Sequence, residues 1–301
     1  MRIKIECPLN FLKIEDLNVM IDTYGFVVNK EDPECIIVNP GTEVFLDENY
    51  FSVYPNLKVV GTPSTGVNHI DTDYLKSRGI EVRCLLDNRE VLENIHASAE
   101  FTWLHIMNAF RKFIPAVNRV KYWRDDHNEK FLRSNELAGK TIGIVGLGRI
   151  GRKIARYAKA FGMKVTYYDP YVSNYEYNRA FYLTSMQESD ILCISCYLTD
   201  ETRGMISSGI LDDFKDGLIV VNTSRGEVVN ESYIYDLVTN DKIFYSCDVL
   251  CNEQDIGELR QSPLFNLKRD NIVITPHVAG ATIESQTKAL RGILELCIKL
   301  Q

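Results

Sequence analysis

Gly146, Gly148 and Gly151 form the pattern G-x-G-x-x-G within TIGIVGLGRIGRKIARYAKAFGMKVTYYDP. An apolar run precedes the first glycine and a helical pattern follows the last, so the glycines occupy a strand-to-helix turn. Each has its own task there. Gly146 permits the tight turn, Gly148 lets a pyrophosphate approach the backbone, and Gly151 lets the helix pack closely on the strand. The amides at the helix start, where Arg149 and Ile150 lie, face the ligand, and the helix dipole favours its negative charge. Asp169 ends the next strand, 18 positions after Gly151, where a ribose-binding carboxylate belongs. Such an acid accepts hydrogen bonds from a free ribose and repels a 2′-phosphate. The chemistry expected is dinucleotide binding, NAD in preference to NADP, with these six residues as contacts. A glycine-rich turn beside a solvated aspartate is the bland alternative, and the strand–turn–helix–strand order counts against it.

The elements around this turn alternate strand with helix. From 1 to about 93, RIKIE, ECIIVN, LKVVGTP and IEVRCL read as strands, and FLKIEDLNVMIDTYG and DTDYLKSRG as helices. From 141 to 275 the strands are TIGIVG, KVTYYD, DILCISCYL, LIVVNTS, FYSCDVL and NIVIT. RIGRKIARYAKAFG, SSGILDDFKDG and ESYIYDLVTNDK are the helices between them. A largely apolar helix is expected over 97–115, closed by Pro115, and a long amphipathic one at the C-terminal end. Continuous apolar strands alternating with helices imply parallel sheets covered on both faces, and hence an α/β fold of two doubly wound domains.

Composition excludes several classes. With 301 residues, 45% hydrophobic and 25% charged, the chain is globular rather than disordered or fibrous, and long enough for two cores. A net charge of −7 argues against nucleic acid and against a polybasic membrane anchor. No apolar run is long enough to span a bilayer, and the first residues, MRIKIECPLNF, read as a strand rather than a signal peptide. A cytoplasmic protein with reduced cysteines is expected. Cys193 and Cys196 look like half a zinc site, but residues three apart on a strand point to opposite faces, so no metal is expected.

The ordered landmarks GTPSTGVNHID (61–71), SAEFTWL (98–104), GLGRIG (146–151), LTDETRGMI (198–206), VNTSRGEVVNE (221–231), DVLCNE (248–253), SPLF (262–265) and TPHVAGAT (275–282) closely resemble the D-isomer-specific 2-hydroxyacid dehydrogenase family over nearly the whole chain. The resemblance implies a Rossmann NAD-binding domain, 94–278, inserted into a flavodoxin-like substrate-binding domain, 1–93 and 279–301. It implies a catalytic trio of Arg225, Glu253 and His277. It further implies Ser224 and Asp248 as cofactor contacts, Asp248 on the nicotinamide carboxamide, and Ser64, Thr65 and Gly66 as a loop whose amides meet the substrate carboxylate. A homodimer and a small 2-hydroxy or 2-oxo acid are the implied partners. The trio also suits the chemistry. Arg225 can hold a carboxylate with its planar fork, and a carboxylate at Glu253 should raise the pKa of His277 as acid–base.

Departures from the family pattern bear on the substrate. Asn39-Pro40-Gly41-Thr42 stands where many relatives carry an arginine, which weakens the case for a phosphorylated substrate. LLDNREVLEN replaces a Pro-Gly turn and brings Arg89, Gln254 replaces a proline after Glu253, and Ser195 and Tyr197 replace a histidine and a proline. A dinucleotide-sensing regulatory protein on the same scaffold is the rival reading. An enzyme using formate or phosphite is a second one, which the Glu253–His277 pair opposes for formate.

Overall fold

The computed structural model describes residues 1–301 except 8, 40–44, 68, 125, 174–175 and 300–301, and the chain divides into two compact units. The first comprises Met1–Ile95 and Gly280–Gln301, the second His96–Ala279. The loop expected to lack an arginine falls, at Pro40–Thr42, outside the described residues.

In the first unit, β1 (Arg2–Glu6), β2 (Val27–Val28), β3 (Cys35–Val38), β4 (Val59–Thr62) and β5 (Glu81–Cys84) form a parallel sheet in the order β2-β1-β3-β4-β5. That order is the flavodoxin-like one. Its helices are α1 (Ile14–Thr23), α2 (Glu48–Phe51), α3 (Thr72–Ser77) and α4 (Arg89–Glu93), joined by the C-terminal helix α12 (Ile283–Ile298). α12 is tied in by apolar burial: Leu290, Ile293, Leu294 and Cys297 pack with Ile3, Cys35, Ile37 and Val59. Gly61 makes room for it, because a Cβ there would lie 2.7 Å from Cys297 Sγ and 2.9 Å from Ile293.

The second unit opens with α5 (Ala97–Arg111), α6 (Phe113–Asn118) and α7 (Asp126–Leu132). Its sheet holds β6 (Thr141–Val145), β7 (Lys164–Tyr168), β8 (Asn178–Ala180), β9 (Ile191–Ile194), β10 (Leu218–Asn222), β11 (Ile243–Cys247) and β12 (Ile272–Ile274). The order is β12-β11-β10-β9-β6-β7-β8 and every pairing is parallel. α8 (Arg149–Ala160), α9 (Ser208–Leu211), α10 (Glu231–Thr239) and α11 (Ile256–Leu259) complete it. Two apolar clusters cover the faces, one around α5 and α8, the other around α10. The strand order reverses between β6 and β9, so the carboxyl end of β6 is the switch point where ligands bind in doubly wound sheets.

The main departure from expectation lies at 97–115. The helix stops at Arg111 because Lys112 takes a left-handed conformation, φ 50°, and its amide closes on the Ala109 and Asn108 carbonyls. Pro115 therefore does not end a helix but sits in the first turn of α6, where a missing amide costs nothing. The Asn108 side chain bridges the break by accepting from the Ile114 amide at 3.0 Å. The short edge strands β2 and β8 and the one-turn helices are too brief for periodicity to mark.

Candidate active site

The glycine turn follows β6. Gly146 has φ +90°, and a Cβ on it would stand 2.8 Å from the Cys196 backbone. Gly148 caps α8, and a Cβ there would meet nothing within 4 Å, so the helix start opens on free space. A Cβ on Gly151 would press to 2.2 Å from the Gly146 carbonyl oxygen. A close-packed turn with one open flank is what a pyrophosphate needs, and these residues fit a dinucleotide. Asp169, just past β7, takes part in the turn itself. Its Oδ2 accepts from the Leu147 amide at 2.8 Å, and its Oδ1 from the Tyr171 and Val172 amides at 2.9 and 3.1 Å. Oδ2 keeps a second accepting direction for a ribose hydroxyl.

Arg225, Glu253 and His277 follow the ends of β10, β11 and β12. His277 Nδ1 lies 2.6 Å from Glu253 Oε1, which leaves Nε2 to face a ligand. The hydrogen bond that Nδ1 donates to Glu253 holds the imidazole above its ordinary pKa, against burial and the nearby Arg225 charge, with Asp248 adding a smaller upward push. His277 has φ 51°, a left-handed conformation that costs an L-residue about 1 kcal/mol. Its amide donates to the carbonyls of Asp248 at 2.8 Å and Thr275 at 3.1 Å. Arg225 is half-buried, and its Nη1 donates to the Ser224 carbonyl at 2.7 Å.

Residues that motif reading did not single out hold these three in place. Asn222, wholly buried at the end of β10, accepts from the Ser224 amide and hydroxyl at 3.0 and 2.9 Å and donates to the Arg225 carbonyl at 2.9 Å. Gly226 brings the Arg225 loop against the Glu253 loop, since a Cβ on it would lie 2.0–2.3 Å from the Leu250–Cys251 backbone. Glu231, buried at the start of α10, accepts from the Cys251 amide and from Ser262 Oγ, both at 2.7 Å. A polar residue ending an otherwise apolar strand was the available signal for Asn222.

Asp248 is tied into the turn beyond β12. Only 1% exposed, its Oδ1 accepts from Thr275 Oγ1 and the Val278 amide, and its Oδ2 from the Ala279 amide at 2.7 Å. The carboxylate is thus largely spent on the turn that carries His277. Within the first unit, Ser64 Oγ donates to the Gly66 carbonyl at 2.7 Å. Among the described residues the amides of Thr65 and Gly66 donate to no other group. Arg89 is exposed at the start of α4, and Tyr197 is exposed beyond β9. Of the other histidines, His127 is exposed, His96 lies 3.2 Å from Lys153 Nζ, and His69 is buried without a hydrogen-bond partner among the described residues, its pKa pushed down to about 4 by burial. His105 is buried yet hydrogen-bonded at both ring nitrogens.

Residues 103–279 match the model of the D-isomer specific 2-hydroxyacid dehydrogenase NAD binding domain. The chain belongs to this family. It is 34% identical over 259 residues to a D-3-phosphoglycerate dehydrogenase of Archaeoglobus fulgidus, covering 84% of this chain and 46% of that one. A hydroxypyruvate reductase of Thermotoga maritima is 30% identical over 272 residues, with 88% and 84% covered. The chain thus spans about half the length of the D-3-phosphoglycerate dehydrogenases it matches and most of the reductase. Among solved structures, the D-lactate dehydrogenase from Aquifex aeolicus, complexed with NAD and lactic acid, aligns over 100% of this chain and 94% of its own. Its TM-score is 0.75 and its identity 26%. The second unit is accordingly an NAD-binding domain of this family.

Proposed function

We propose that the protein is an NAD-dependent oxidoreductase that interconverts a D-2-hydroxy acid and its 2-oxo acid. The observation that carries the reading is the hydrogen-bonded Glu253–His277 pair, with Arg225 on a neighbouring strand end, in a chain of this family. Bound NADH supplies the hydride for the carbonyl carbon. Arg225 is the cation for the substrate carboxylate, and its fork also polarises the carbonyl. His277, protonated and held by Glu253 through Nδ1, gives its Nε2 proton to the carbonyl oxygen in reduction and takes it back in oxidation. Gly146, Gly148, Arg149, Ile150, Gly151 and Ser224 line the cofactor side in this reading. Asp169 takes the ribose, and the remaining accepting direction of Asp248 Oδ2 takes the carboxamide. In the first unit, the unengaged amides of Thr65 and Gly66, with Ser64 shaping their turn, form an anion-binding element for the substrate.

The stretch 39–44, Asn-Pro-Gly-Thr-Glu-Val, offers no cation to a second anionic group, so an unphosphorylated 2-oxo acid is the favoured substrate. The surface around α6 supports a homodimer in this reading. Phe113, Val117, Val120 and Trp123 are 53–78% exposed there, and apolar side chains grouped on one surface are a common mark of a protein contact. Eight free thiols suit a cytoplasmic location, and no described helix is long and apolar enough to cross a membrane. NADH oxidation across 2-oxo acids, from glyoxylate to branched, aromatic and phosphorylated ones, tests the function, with chiral analysis of the product. D-hydroxy acid formation is expected. Tight NADH binding without turnover on any member would favour the sensing role instead.

A further inference from the structure

Asp248 holds the His277 turn through the Val278 and Ala279 amides and the Thr275 hydroxyl, and the structure shows what sets the direction of that hydroxyl's proton. Thr275 Oγ1 lies 2.5 Å from Asp248 Oδ1 and 3.4 Å from the Cys247 carbonyl. A carboxylate only accepts, so the single hydroxyl proton goes to Asp248. On its other side, Thr275 Oγ1 lies 3.0 Å from His105 Nε2, and with its proton committed it can only accept there. His105 must therefore carry its proton on Nε2. Its Nδ1 lies 2.7 Å from Ser246 Oγ and, on a neutral ring, accepts from that hydroxyl. Ser246, His105 and Asp248 are each at most 3% exposed, and Thr275, the link between them, is half-buried. Burial also keeps the His105 imidazole below its ordinary pKa, outweighing the upward pull of Asp248.

We propose that His105 is a positioning residue for His277, acting through the one-way chain Ser246, His105, Thr275 and Asp248. The chain ends on the amides of Val278 and Ala279, while the Asp248 carbonyl takes the His277 amide itself. Every member of the chain is thereby satisfied, the condition under which a buried polar network fixes one geometry. α5 acts on both catalytic loops at once. One turn before His105, on the same face, Thr102 Oγ1 lies 2.6 Å from Thr223 Oγ1, two residues ahead of Arg225. An apolar residue at 105 would keep a neighbour in Phe101, whose ring stands 5.0 Å away, and would leave Thr275 without its His105 partner.

The inference rests on the dehydrogenase reading for its consequence, and two measurements need no turnover. Nitrogen-15 NMR of the imidazoles in the cofactor-free protein should show His105 neutral with its proton on Nε2. A proton on Nδ1 overturns the proposal. His277 should titrate above an ordinary histidine, facing Glu253, Arg225 and Asp248, and its midpoint should fall in His105→Leu. His105→Gln, which can place an amide N–H near the Nε2 position, should restore it. In turnover, His105→Leu should lower kcat about 10-fold, as a sub-ångström misplacement does, with His105→Gln recovering most of it. One midpoint and one kcat shared by wild type and both variants would overturn the proposal, as would equal losses in Leu and Gln. If the wild type reduces no 2-oxo acid, the dehydrogenase reading fails while both NMR measurements still decide the relay.

Discussion

The two ends of the NAD-binding sheet use one device in opposite ways. At the cofactor end, Asp169 leaves β7 and reaches sideways to the Leu147 amide in the turn after β6. At the proposed catalytic end, Asp248 leaves β11 and reaches sideways to the Val278 and Ala279 amides in the turn after β12. Each carboxylate ties a strand end to its neighbour's loop. The first turn is shaped by what is missing, since side chains at Gly146 and Gly151 would strike backbone. The second is shaped by what is present, a buried set of polar groups that must all be paired. Absent side chains set a shape with little room for variation, whereas a polar chain sets a direction as well, and a proton-transferring imidazole needs that direction.

The largest effect that would sharpen this contrast is Arg225→Ala. Removing the substrate's cation should lower kcat/KM for 2-oxo acid reduction roughly 10³-fold, as loss of a charge-paired contact does, with little change in NADH affinity. Gly151→Ala should do the reverse. Its Cβ forces a backbone shift worth about 1–3 kcal/mol at the glycine turn, so NADH binding by fluorescence should weaken roughly 10–100-fold. Glu231→Ala strips an acceptor from the Cys251 amide and Ser262 and should cost about 1–3 kcal/mol in denaturant unfolding. It should also lower kcat while leaving NADH affinity unchanged, and a matching loss of affinity would break the contrast. The smallest effect concerns pH. Reduction needs protonated His277, and the Glu253 hydrogen bond raises its pKa, so Glu253→Gln should move the alkaline limb of kcat/KM to lower pH. An unmoved limb would remove Glu253 from the pair.

The contrast also explains how far the sequence could be read. Parallel sheets were legible because runs such as LIVVN and ILCI are apolar throughout, and the glycine turn because three glycines at fixed spacing have few other uses. Arg225, Glu253 and His277 were legible through the motifs around them. The supports were not. Glu231 and His105 act through partners 20 to 170 positions away in the chain, and nothing in local spacing marks a residue whose partner is so remote. Asn222, with partners two and three positions on, was signalled only by its polarity at the end of an apolar strand. The end of α5 was misplaced for a related reason. Pro115 is the visible breaker, but the left-handed Lys112 and the Asn108 bridge make the break.

The most direct test of the account is NADH oxidation at saturating 2-oxo acid by the wild type and by His277→Asn. With the proton donor gone and the cofactor turn untouched, turnover should fall by roughly 10²–10⁴ while the NADH dissociation constant stays the same. Equal turnover in the two proteins would contradict the assignment of the acid–base and the mechanism built on it.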